Sequence, residues 1–292
     1  MHFGGETTIH SCCCHLHFSF FFFFFSTTHV FPILNNTSCG KESHLPAVCS
    51  LVKLWVKKCA DDSETANWIS ANTKECPKCQ STIEKNGGCN HMTCKKCKHE
   101  FCWVCAGNWK DHGSFYNCNR FDDKNAEATT KGVQAKSRAS LERYLHYFTR
   151  YDNHNNSAKL EQELYRKIET KMDMMQKTTT LSWIEVQFLQ KAAQTLFRCR
   201  MILKWTYAFA FYLQRDNHTA IFEDNQRDLE MAVELLSSLL EKDIAIDTIP
   251  ELKQQVIDKT VYVSSRLETL LADCAQGLLE DRWKYQTEVP LF

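Results

Sequence analysis

The sequence predicts a small two-zinc, loop- and short-strand-rich domain followed by an all-α antiparallel helical bundle. Two observations carry this. Eight of the 16 cysteines crowd into residues 76–118, mostly as C-x2-C pairs, with His91, His99 and His112 among them. From about Asp122 onward cysteine nearly vanishes, and apolar residues recur at three- and four-residue steps, the period of a helix face. The 43% hydrophobic content is enough for a core and is not that of a disordered chain.

Residues 1–38 form an odd leader. Phe20 to Phe25 is an unbroken phenylalanine run, too short to span a bilayer, which takes roughly 20 apolar residues. Residues 1–17 hold no Lys or Arg, and no clear cleavage pattern follows, so a signal peptide is disfavoured. The leader reads as low-complexity sequence outside the folded protein, of the kind an imprecise gene boundary produces. Residues 39–75 hold Cys39, His44 and Cys49, an amphipathic run from Leu51 to Lys58, and Ser63, placed to cap a short helix through Trp68. Residues 76–121 are the metal-rich domain.

Residues 122–292 are the bundle. Leu141, Tyr144, Leu145, Phe148 and Tyr151 mark a first helical face, continued by Leu160, Leu164, Ile168 and Met172. A second helix starts at the Ser182 cap, with Glu185 completing a capping box, and runs to about Leu213. Its aromatics, Trp205, Tyr207, Phe209, Phe211 and Tyr212, lie all round the axis, which predicts a central, buried helix. A third helix spans roughly Asp224 to Glu241, and a fourth starts at Pro250 and runs to about Tyr285. These apolar stripes are expected to be bundle core.

C-x2-C turns set two thiolates on one metal at about 2.3 Å. The simplest sequential assignment puts Cys76, Cys79, Cys94 and Cys97 on one zinc and Cys102, Cys105, His112 and Cys118 on a second. A cross-braced pairing, with Cys76 and Cys79 sharing a metal with Cys102 and Cys105, uses the same ligands. Either way both sites are closed and four-coordinate, so the zinc ions are expected to be structural. Zinc thiolates imply a reducing compartment, cytosol or nucleus.

Cys89 is left over. It follows Gly87-Gly88, which allow a sharp turn and an exposed thiol, and it precedes Asn90-His91. His91 is placed to act on the thiol or on an incoming amine, and Glu100 to orient His91 if the fold brings them together. Lys85, Lys95, Lys96 and the zinc sites would lower the thiol pKa. The spacing is equally compatible with a buried, inert Cys89, or with Cys89 as a ligand and another cysteine spare.

The runs Cys76-Pro77-Lys78-Cys79, Ile83 to Met92 and Glu100-Phe101-Cys102-Trp103-Val104-Cys105 resemble the catalytic second RING of RING-between-RING ubiquitin ligases. Ser182 to Leu189 and Tyr207 to Leu213 resemble the Ariadne domain, so the whole resembles the Ariadne subfamily. The resemblance implies that Cys89 accepts ubiquitin as a thioester from a ubiquitin-conjugating enzyme and passes it to a substrate lysine. It implies His91 as general base and Glu100 as third member, and it agrees with the sequential zinc pairing. It also implies that the bundle folds back over Cys89 until a partner, often a neddylated cullin-RING ligase, releases it; Glu223 and Glu234 are the expected autoinhibitory contacts. Cys39, His44 and Cys49 resemble only the tail of an in-between-RING domain, and Asn36 stands where a paired cysteine would be. A first RING is missing, so the chain reads as a member truncated at its N-terminus, with recruitment of the conjugating enzyme in doubt.

A non-catalytic zinc adaptor is the alternative, and an exposed Cys89 beside His91 and off both zincs would argue against it. Nucleic acid is excluded as the main partner because Lys plus Arg equals Asp plus Glu, 35 each, and the zinc region carries no dense basic stripe. No membrane partner is expected.

Overall fold

The computed structural model describes residues 43–61, 73–85, 87–115, 118–121, 133–242 and 248–287. The leader, Cys39 and the expected Ser63 helix lie outside the described residues. Helix α1 spans Cys49–Asp61. Strands β1 (Thr73–Glu75) and β2 (Thr82–Glu84) form one antiparallel hairpin, and β3 (His91–Thr93) and β4 (Glu100–Cys102) another. Helix α2, Trp109–Phe115, follows. The helical region comprises α3 (Val133–Thr178), α4 (Trp183–Val186), α5 (Phe188–Tyr212), α6 (Asn217–Glu241) and α7 (Ile249–Leu279).

Each hairpin is a loop closed around a pair of cysteines. Gln80, Lys98 and Ala106, one after the second cysteine of each C-x2-C turn, all take a left-handed φ of 58–59°. In each turn the N–H of that residue donates to the carbonyl of the first cysteine, at 2.8–2.9 Å. Three turns thus share one knuckle, which points both thiols of a pair the same way.

The long helices that follow one another in the chain run antiparallel. Tyr165 meets Gln190 while Arg143 meets Phe211, so α3 and α5 run in opposite directions. Arg200 meets Glu234 and Phe209 meets Phe222, which sets α6 antiparallel to α5. Tyr262 meets Asp228 and Arg266 meets Asn225, which does the same for α7 and α6. Residues 202–210 of α5 are buried on every side, as its aromatic run implies. Helix α1 joins this core: Trp55, fully buried, packs against Tyr144, Tyr151, Phe211 and Tyr212.

Several expected boundaries move. The Ser182–Glu185 capping box forms, but it starts one turn only; Gln187 interrupts it before α5. Helix α6 starts at Asn217, not Asp224, because the Asp216 side chain accepts from Thr219 N at 2.9 Å and caps it. Helix α7 stops at Leu279, not near Tyr285. Asp281 turns left-handed (φ 49°), and Tyr285 instead pairs with Leu213 in an isolated bridge. Leu141, expected in the core, is 46% exposed near the start of α3.

Candidate active site and zinc clusters

The donor atoms of Cys76, Cys79, Cys94 and Cys97 converge, as do those of Cys102, Cys105, His112 and Cys118, each group within 4.8 Å. None of these cysteines is in a disulfide. Four soft donors converging from preformed knuckles fit tetrahedral zinc, and the grouping is the sequential one rather than the cross-braced one. His112 is oriented by its second nitrogen: Nδ1 donates to Asn108 O at 3.1 Å, leaving Nε2 3.1 Å from Cys105 Sγ. Beyond these clusters, His44 Nε2 lies 3.5 Å from Cys49 Sγ, at the start of α1.

Cys89 belongs to neither cluster. It sits between the two hairpins, with the His91 N–H donating to its Sγ at 3.4 Å. At the start of β3 the His91 ring donates from Nε2 to Glu100 Oε2, 3.1 Å away on the paired β4. With that proton on Nε2, Nδ1 keeps a lone pair, the arrangement of a general base. Glu100 is thus brought to His91 by strand register, Thr93 opposite Glu100 and His91 opposite Cys102.

Cys89 is not exposed. It is 6% accessible, because the bundle covers the Gly87–Asn90 loop. Glu234 of α6 accepts from the Asn90 side-chain amide at 2.7 Å and from its backbone N–H, and the Glu234 carbonyl lies 3.6 Å from Cys89 Sγ. Glu241, two turns on, accepts from the backbone N–H groups of Gly88 and Cys89 at 3.0 and 3.2 Å. Arg200 of α5 donates to Glu161 of α3, to Glu234 and to Gly88 O. Lys85 donates to Gly88 O, to Asn90 and to Asn153 and Ser157 of α3, at 2.9–3.2 Å. Glycine is required at 88 because a Cβ there would collide with the Glu161 carboxylate.

This enclosure reverses the expected electrostatics. Burial first, and then the Glu234 charge, push the Cys89 thiol well above its usual range. Lys85, expected to lower it, is itself buried and pushed down to about 8 by that burial and by Arg200. Burial pushes Glu161 up to about 6. Burial also acts to raise Glu234, but the charge and hydrogen bonds of Arg200, with Lys85 and the Asn90 N–H, outweigh it and hold that carboxyl low.

Of the two expected contact residues, Glu234 reaches the Cys89 loop and Glu223 does not. Glu223 lies farther back on α6, where its carbonyl accepts from Asn119 Nδ2 at 2.8 Å and its carboxylate sits 3.5 Å from Arg120. It ties down the segment after Cys118, which α3 also holds through Arg150 to Cys118 O and His146 to Asn119 O. Arg200, Glu161, Glu241, Asn153 and Ser157 were not singled out by the sequence. Arg200 offered no distinct signal, because Lys191, Arg198 and Lys204 lie on the same helix.

Among the described residues no helix is long and apolar enough to cross a membrane. A family model described as IBR domain matches residues 71–120, and one described as Ariadne domain matches residues 142–281. The chain is 60% identical to E3 ubiquitin-protein ligase dbl4 of Schizosaccharomyces pombe over 86% of this chain and 50% of that protein. It is 55% identical to E3 ubiquitin-protein ligase ari-1.1 of Caenorhabditis elegans over 85% of this chain and 50% of that protein. It is 53% identical to E3 ubiquitin-protein ligase ARIH1 of Homo sapiens over 85% of this chain and 45% of that protein. The chain therefore spans about half the length of the curated relatives it matches. With an IBR-type two-cluster zinc domain leading into an Ariadne domain, the chain belongs to the Ariadne subfamily of RING-between-RING proteins, as a counterpart of their C-terminal part.

Proposed function

We propose that this chain carries the catalytic portion of an E3 ubiquitin ligase and is held in its autoinhibited state. The observation that carries the reading is Cys89 itself: a thiol off both zinc clusters, beside a His91–Glu100 pair, under a lid of buried charge. The exposed thiol that would argue against a structural zinc adaptor is not found, and the catalytic reading rests instead on the His91–Glu100 pair beside a thiol that belongs to neither zinc cluster. The relatives' names support the reaction class.

In the reaction, once the lid is withdrawn, Cys89 gives up its thiol proton and attacks the thioester carbonyl of a charged ubiquitin-conjugating enzyme, whose own thiolate leaves and takes up a proton. A substrate amine then attacks the new thioester carbon. His91 Nδ1 takes the amine proton, the carbon–sulfur bond breaks, and an isopeptide bond remains as Cys89 departs. Glu100 keeps His91 in the tautomer this needs. The two zinc ions, when bound, hold the hairpins that present these residues. Zinc thiolates favour a reducing compartment, cytosol or nucleus.

Glu234, with Glu161, Glu241 and Arg200, holds the lid shut, and Glu223 anchors its base. The release must come from a partner that draws α6 away, for which a neddylated cullin-RING ligase is our candidate by family resemblance. The test uses a small-molecule ubiquitin thioester and a charged conjugating enzyme as donors. The wild-type chain should acquire little ubiquitin, and Glu234→Ala should acquire a thiol-sensitive adduct. Adding Cys89→Ser should convert that to a thiol-stable oxyester. If the Glu234→Ala protein forms no adduct from either donor, the catalytic reading fails.

A further inference from the structure

His91 is gripped from two directions, and the Glu100 hydrogen bond is only one of them. The other is a stack. The Trp109 indole lies flat on the His91 imidazole, with ring centroids 4.3 Å apart and planes 6° from parallel. A second near-parallel neighbour of that indole is His112, at 5.7 Å and 8°. Three rings, one from β3 and two from α2, are therefore near-parallel: the proposed base, a tryptophan, and a residue of the second zinc cluster.

The sequence explains why Trp109 is rigid enough to matter. It opens helix α2, whose first turn is fastened by Asn108: its side chain accepts from Lys110 N at 3.1 Å and its carbonyl from His112 Nδ1. Asn108 also bridges to Phe101 of β4. With His112 committed to the second cluster, α2 cannot turn about its own axis without breaking the zinc site. The indole plane is thus set by the metal cluster at one side and presented to His91 at the other.

A hydrogen bond to Nε2 alone leaves the imidazole free to swing about that contact. A flat partner removes that freedom, because an offset or parallel stack is lost once the planes tilt. We propose that Trp109 is a positioning residue for the transfer step: it fixes the plane of His91 so that Nδ1 faces the amine attacking the Cys89 thioester. This rests on the proposed ligase reading, in which His91 acts as the base. Among the described residues Trp109 makes no polar contact with Cys89, so its effect should fall on His91 and not on ubiquitin loading.

The test uses the full chain carrying Glu234→Ala, with and without Trp109→Leu or Trp109→Phe. Each is loaded from the small-molecule ubiquitin thioester and then chased with free lysine. Trp109→Leu should slow decay of the adduct to lysine by about tenfold, a part of the roughly 10²–10⁴-fold that a general base supplies, while loading stays within about twofold. Trp109→Phe, which keeps a flat ring, should recover most of the rate. Trp109→Leu added to His91→Ala should cost little more, because its effect passes through His91. A second measurement does not depend on activity. In zinc-replete protein labelled at histidine, the His91 ring-proton resonances should lie upfield of their ordinary positions and return on Trp109→Leu, with two zinc ions per chain retained. Wild-type discharge in Trp109→Leu, an equal fall in loading and discharge, or unmoved His91 resonances would each overturn the proposal. Absence of any adduct alongside a shifted, tryptophan-dependent His91 signal would instead sink the ligase reading and keep the stack.

Discussion

At Gly88 a single carbonyl oxygen accepts from Arg200, Lys85 and Ser157, side chains of α5, the zinc domain and α3. Arg200 is the central member, because it also neutralises Glu161 and Glu234. Removing one partner of a buried charge cluster costs about 3–5 kcal/mol, since the remaining charges are left without compensation. Arg200→Ala should therefore lower stability by that order and raise alkylation of Cys89, followed by peptide mass, at least tenfold. An unchanged Cys89 rate in a protein that has lost stability would show that the lid does not depend on this arginine. Glu161 gives a pH signature. Its carboxyl is raised by burial to about 6, so the native state holds that proton more tightly than the unfolded chain does. Its contribution therefore increases as pH falls from about 6 toward the ordinary carboxylate value, and is lost as pH rises through that window; by linkage the swing is about 2 kcal/mol. Subtracting the stability profile of Glu161→Gln from that of wild type should isolate this slope, and a flat difference would remove Glu161 as its source. None of this was legible in sequence. Arg200 meets Glu161 and Glu234 across 39 and 34 residues, and no local pattern marks such a meeting.

The elements divide cleanly by what holds them. The hairpins have three-residue ladders and left-handed knuckles, and with α2 they depend on their thiols for most of their cohesion. The continuous hydrophobic core runs instead through α1 and α3 to α7, and of the described residues of the zinc domain Phe121 alone packs against it. Zinc chelation is thus expected to free all the cluster thiols and Cys89 for alkylation while far-ultraviolet circular dichroism at 222 nm loses only a small fraction of its amplitude. Collapse of the helical signal in step with zinc loss would show that the bundle depends on the metals. This division also explains what could be read in advance. Ligand spacing in a C-x2-C turn is a local property, so Cys76 to Cys118 could be grouped from sequence. Helix ends could not: Asp216 caps α6 from within a polar run that reads as loop, and the left-handed Asp281 ends α7 without a glycine.

At the scale of the molecule, the Cys89–His91–Glu100 neighbourhood is assembled by two adjacent hairpins and was traceable in sequence, but the state of the thiol was not. Its exposure is decided by Glu234 and Glu241, some 150 residues away, and a turn that looked open is closed by helices that no local reading places. The carboxylates that close it have side chains only 2% exposed at Glu161 and Glu234. Mobile ions cannot enter such a site, and the screening that weakens surface pairs beyond about 10 Å in 0.1 M salt hardly reaches it. Raising sodium chloride from 0.1 to 1 M should change Cys89 alkylation by less than about twofold; a steep rise would mean that exposed pairs such as Arg120–Asp224 hold the lid instead. Ordinary swings of cellular ionic strength would then pass unnoticed, and the lid would open only to something that competes for its shape.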